Sequence, residues 1–132
     1  DTFFIATLTN KSIKKTVLSI LNSTLSLMML EQLGRKNMGE GVLCVYGPDL
    51  SGHIILSPKF ITDQQALIFE EHYEKIATRP IKPIFDEINM PDRKDLDNLI
   101  FDILGLKQNE RDAVYEAVIN LVETRLKKAE SL

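Results

Sequence analysis

Residues 34–41 read Gly34-Arg35-Lys36-Asn37-Met38-Gly39-Glu40-Gly41. Three glycines in eight positions deny this stretch regular structure, so the element before it must end there and the next must start afresh. Ahead of it, Asn10 is suited to cap a helix, and Ile13, Val17, Ile20, Leu21, Leu25, Met28, Met29 and Leu33 cover most of a helical circumference. That pattern predicts one long, buried helix over 11–33, with Gly34 as its left-handed cap. Behind the glycines, Val42–Tyr46 and His53–Leu56 are apolar runs bounded by the turn residues Gly47-Pro48-Asp49, Ser51-Gly52 and Ser57-Pro58, which read as strands. Phe3–Leu8 reads as a third.

Further along, Thr62 and Gln65 form a capping-box pattern that predicts a helix from Asp63 to about Ala77. Pro80, Pro83 and Pro91 make 79–91 an extended connector. Asp92 is suited to cap the next helix, where Leu96, Leu99, Ile100, Ile103 and Leu104 fall on one face before Gly105. A last helix from about Glu110 to Ala129 places Val114, Val118, Leu121, Val122 and Leu126 on a stripe, with Arg125, Lys127 and Lys128 late, as the helix dipole prefers. The expected fold class is therefore α/β (α+β). A small mixed sheet, from strands near 2–8, 42–46 and 53–57, packs on the 11–33 helix, and a C-terminal helical hairpin follows. The expected organisation is an α/β region at 1–78, a proline-containing connector at 79–91 and the hairpin at 92–132.

The chain has 132 residues, which suits one domain, and no apolar run approaches the length of a membrane span. One cysteine, Cys44, excludes an intramolecular disulfide framework and fits a reducing, cytoplasmic setting. The start at Asp1-Thr2-Phe3 reads as a fragment or processed chain. Net charge is −3, but residues 1–62 hold six basic and four acidic side chains against ten and fifteen in 63–132. A polyanion should therefore meet the first half.

Catalytic chemistry is missing. His72 lies among Glu70, Glu71 and Glu74 without a second ligand at metal-binding spacing, which reads as a solvated helix face. Cys44, inside an apolar run, reads as a buried structural thiol. Asp86, Glu87, Asp92, Asp95 and Asp97 do not read as a metal cluster, because Asp95 and Asp97 point to different helix faces and Asp92 and Asp95 are explained as the cap and first-turn acid. Gly34 and Gly39 have phosphate-loop spacing, but Glu40 stands where Lys is required. No glycine-rich dinucleotide fingerprint occurs. No cofactor or metal is expected in this chain itself.

Two features of the first half suggest binding. Ser19, Asn22, Ser23 and Ser26 make a small polar stripe that lets another backbone come close, whether protein or nucleic acid. The glycine segment adds two adjacent cations and an amide. Arg35 can chelate guanine O6 and N7, Asn37 can pair with adenine N6 and N7, and Lys36 adds charge. Gly39 and Gly41 permit close approach, and Lys11, Lys14 and Lys15 are candidate phosphate contacts.

The runs Leu21-Asn22-Ser23-Thr24-Leu25, Gly34 to Leu43, Tyr46, Asp49-Leu50 and Ile54 to Pro58 resemble the C-terminal specificity region of N6-adenine DNA methyltransferases of restriction–modification systems. In that family, of the TaqI-like kind, a Leu-Asn-Ser helix leads into a Gly-Arg-Thr-Asn-Leu-Gly-Glu-Gly loop. Type I specificity subunits are similar. Asp92 to Asp97, Leu104-Gly105-Leu106 and Glu110-Arg111 resemble the family's helical end. Lys36 and Met38 stand where the family more often has Thr and Leu.

The resemblance implies a target-recognition portion that binds duplex DNA and positions adenine for a separate, upstream catalytic domain. That domain uses S-adenosylmethionine and an Asn/Asp-Pro-Pro-Tyr/Phe pocket, a tetrapeptide absent here. The parent protein would thus be an adenine-specific methyltransferase, with this chain lacking its catalytic part. The alternative is a protein–protein interaction or dimerisation module with no direct DNA contact, its C-terminal helices docking on a partner subunit or forming a homodimer through their apolar stripes.

Overall fold

A computed structural model describes residues 7–36 and 41–130. The elements are α1 (Lys14–Leu21), entered through a 3-10 turn at Lys11–Ile13, α2 (Thr24–Leu33), α3 (Gly47–Leu50), α4 (Asp63–Ala77), α5 (Ile84–Glu87), α6 (Pro91–Leu104) and α7 (Gln108–Glu130). Among the described residues there is no strand, so the expected α/β sheet is overturned and the fold is helical. Backbone pairing between 35 and 44 is a single antiparallel bridge, with Arg35 N–H to Cys44 O at 2.8 Å and Cys44 N–H to Arg35 O at 3.1 Å. The apolar pattern of 42–46 and 53–57 suits a sheet, but a ladder needs a partner. Here α3 begins directly after Tyr46, and Ile54 and Ile55 face outward. Of the expected strand near 2–8, residues 2–6 lie outside the described residues, and Thr7 and Leu8 are in no strand.

The expected single helix over 11–33 is two helices. Ser23 is extended (φ −70°, ψ 155°), and its Oγ accepts the Ser26 N–H while donating to Ile20 O. A buried carboxylate completes the break. Asp97 of α6 accepts the Thr24 N–H at 2.8 Å and the Thr24 hydroxyl at 2.6 Å, and also the Tyr115 hydroxyl of α7 at 3.1 Å. Burial pushes the Asp97 carboxyl above its usual range, against those hydrogen bonds. Burial of Tyr115 itself, then the neighbouring Asp97 charge, raises its phenol too.

α1 packs along α4, α4 against α6, and α2 along α7. Ile20, Phe69, Ile76, Leu96 and Ile100 form the central cluster, joined by Leu25, Leu56, Ile61, Leu99 and Ile103. Removing a side chain of this size from water contributes about 1.5–3 kcal/mol. α4 has the bounds its capping box predicts, with Thr62 and Gln65 exchanging hydrogen bonds. α6 ends at Gly105 as expected, and this glycine is left-handed (φ 70°). The last two helices meet through Phe101 and Tyr115, edge to face at 6.0 Å, while Val114, Val118 and Val122 of α7 are buried inside the molecule. Those valines, the middle of the stripe expected to dimerise, are already covered.

The expected extended connector is instead folded around charge. Glu87 receives Arg79 at 2.7 Å, Arg93 at 2.9 Å and the Lys82 N–H at 2.9 Å, and Arg79 also reaches Asp92 at 2.6 Å. Arg79 first, then the Lys82 N–H and Arg93, hold the Glu87 carboxyl down at about 2 despite its burial. Asp92 is not the cap of α6, which starts with Pro91 after Met90 because proline suits a first helical turn. His72 is buried rather than on a solvated face, and Cys44 is only half-buried. No helix of the described residues is long and apolar enough to cross a membrane.

Candidate nucleic-acid interface

α2 closes with the Gly34 N–H bonded to Leu30 O at 2.8 Å. Gly34 is not the expected left-handed cap but is extended (φ −67°, ψ 146°). Its lack of a side chain serves packing, since a Cβ there would lie 2.3 Å from Leu43 Cδ1. The chain therefore leaves the helix straight and exposes Arg35. Asn37 and Gly39, both expected DNA contacts, lie outside the described residues.

The returning side of the bend is pinned. Gly41 is left-handed (φ 71°), and a Cβ on it would stand 3.1 Å from Leu126 Cδ2 of α7. Arg125 of α7 donates to Gly41 O and pairs with Glu31 of α2 at 2.6 Å. The close approach that Gly41 permits is thus filled by α7, not left open for DNA. Beside this clamp lies an apolar cavity of about 370 Å³ between α2, α7 and the Ile84-Phe85 turn.

Arg35 is the best-organised cation of the bend. Asp49 accepts its Nε at 3.1 Å and its Nη2 at 3.0 Å, a bidentate pair. The Tyr46 ring lies 4.8 Å from the guanidinium carbon. Asp49 is the third residue of α3 and reaches back to the Tyr46 N–H at 3.0 Å. The Arg35 guanidinium, then this N–H, hold the Asp49 carboxyl below its usual range. The arginine side chain is 55% exposed and the carboxylate 17%.

The other expected contacts are scattered. Lys36 is half-buried. Lys11 and Lys14 are exposed on the first helical turns, but Lys15 is paired with Glu74 at 2.6 Å. The small polar stripe faces inward. Ser19 donates to Phe69 O at 2.7 Å, Ser23 caps α2, Asn22 bonds Leu18 O, and Ser26 meets His53 Nε2 at 3.0 Å. The backbone that Ser19 admits is the chain's own α4. Asp49 and Tyr46 belong to the runs that carry the resemblance, but neither is expected from the sequence to hold Arg35: by local pattern the former reads as turn chemistry, the latter as strand. Their spacing across Gly47-Pro48 is the signal that could have found them.

Ser26 and His53 do not make a nucleophilic pair. Ser26 is buried, His53 Nδ1 has no hydrogen-bond partner among the described residues, and burial lowers the His53 pKa. No group of His, Cys, Asp and Glu among the described residues can hold a metal ion. The arrangement offers hydrogen-bond donors and charge at one bend, and no assembled proton-transfer or nucleophilic chemistry. Compared with known proteins, the chain matches no family model, no curated protein and no solved structure.

Proposed function

We propose that this chain is the DNA target-recognition portion of an S-adenosylmethionine-dependent adenine-N6 DNA methyltransferase of a restriction–modification system. It holds duplex DNA and positions adenine for a catalytic domain not contained in it. The observation that carries this reading is the projecting, buttressed guanidinium of Arg35. It stands in the segment where the sequence most resembles that family. The reading does not need the expected sheet, since the end of α2 leaves Arg35 exposed. The excess of basic residues in the first half is in keeping with it.

The test is fluorescence anisotropy of the chain with labelled duplexes across salt. Binding should weaken steeply between about 50 and 200 mM salt, and the pair Arg35→Ala/Lys36→Ala should weaken it further while the circular dichroism spectrum is kept. Unchanged affinity in the double variant refutes the reading. A second reading, a protein contact, is favoured by Ile54, Phe60 and Leu67, which are 71%, 75% and 68% exposed. A dimer by light scattering with no DNA binding would select it.

A further inference from the structure

We propose that Arg35 reads a guanine in the major groove, with Asp49 and Tyr46 as the positioning residues that aim it. This rests on the DNA-binding reading above and names what that bend recognises. A guanidinium carries five N–H donors in a fixed fork. Asp49 takes Nε–H and one N–H of Nη2. Both hydrogens of Nη1 and the second of Nη2 remain, and among the described residues they meet no protein acceptor. One from each nitrogen lies side by side on the outer end of the fork. In the major groove only guanine offers two neighbouring acceptors, N7 and O6, to such an edge.

The same geometry argues against a phosphate. Phosphate affinity follows the positive charge brought to the backbone, and Asp49 cancels that of Arg35 at 3.0 Å. What survives the cancellation is the directional donor pair. The carboxylate is recessed while the arginine projects, so a base edge can reach the guanidinium without meeting the acid first. The Tyr46 ring lies against the guanidinium, 4.8 Å from its carbon, as a second contact beside Asp49. The Tyr46 N–H donates to Asp49 at 3.0 Å, so the three residues are joined by hydrogen bonds and the ring contact.

The experiment is a selection of random duplexes by the full chain, followed by anisotropy on the selected sequence. The expected result is a guanine at one position whose replacement by 7-deazaguanine, which lacks N7, weakens binding about ten- to hundredfold. Arg35→Lys should abolish that preference and leave non-specific binding, because an ammonium has no fork. Asp49→Asn should relax the preference yet raise affinity for unselected DNA and steepen its salt dependence by about one phosphate contact. A residue with a merely structural role would not produce that opposite movement. Tyr46→Phe should keep the preference and Tyr46→Ala weaken it. Salt-sensitive binding with no guanine preference, or uniform loss across sequences in Arg35→Ala, overturns this inference and leaves DNA binding standing. Absence of salt-sensitive binding to any duplex overturns both.

Discussion

Glu87 and Asp49 are both carboxylates held bidentately by arginine, and they are held for opposite ends. At the α5–α6 junction, Glu87 and Arg93 are each 3% exposed, and Arg79 and Asp92 close the cluster from outside. At the bend after α2, the arginine faces water and only the acid is recessed. Removing one partner of a buried pair leaves a charge stranded in a poor solvent, whereas an exposed pair loses little when broken. The first arrangement locks an element; the second keeps a donor aimed while leaving it open to a new acceptor. Burial, more than pairing, separates structural ions from ones available to a ligand.

The comparison breaks most severely at the buried end. Glu87→Ala should lower stability by about 3–5 kcal/mol, because the buried Arg93 then loses the carboxylate it is hydrogen-bonded to. Thermal unfolding followed by circular dichroism measures it, and a loss no greater than that of a surface variant contradicts the account. Phe101→Ala, which empties a fully buried ring site, should cost a similar amount, about 3–5 kcal/mol.

Acid should expose the same asymmetry. The folded Glu87 carboxyl lies at about 2, below its ordinary value of 4.5. Its stabilisation is therefore complete above the unfolded value and is lost as pH falls from there toward 2. The loss is roughly 3 kcal/mol at most, at 1.36 kcal/mol per pKa unit. Urea midpoints at several pH values in that window should fall in the wild type and flatten in Glu87→Gln. Asp97 moves the opposite way: its raised pKa means stability is lost as pH rises through the folded value.

Gly41→Ala should be milder. It forces a Cβ into a left-handed residue against Leu126, at about 1–2 kcal/mol, read as a shift in melting temperature. Smallest of all, Arg35→Ala should leave the melting temperature nearly unchanged while DNA affinity drops. Equal loss of both would place this arginine with the structural ions.

Local chemistry was legible in the sequence, and long-range pairing was not. The Thr62–Gln65 box gave α4 its bounds, Gly105 its stop to α6, and the stripe from Leu96 to Ile103 its core face, with Leu104 left exposed, because each signal acts within one or two turns. Val42–Tyr46 and His53–Leu56 misled because β-branched composition reports fit to a pleated surface, not the presence of a neighbouring strand. The serines misled for a related reason. A hydroxyl can face water or bury itself against a carbonyl such as Phe69 O, and spacing cannot say which. The break at Ser23 depends on an aspartate 74 positions later, invisible to any local window. In the candidate site, Arg35 was found from its own chemistry. Its partner Asp49 was not, because 14 residues separate them.

Asp97 joins the first turn of α2 to α6 and α7 at one buried point. During synthesis from the amino end, Thr24 leaves the ribosome before the carboxylate that accepts its N–H and hydroxyl exists. Ser23 can cap α2 locally, but the buried tie of its first turn to the rest of the molecule forms only after α6 has emerged. Completion of the amino-terminal half is thereby a late event, timed by the carboxyl-terminal third.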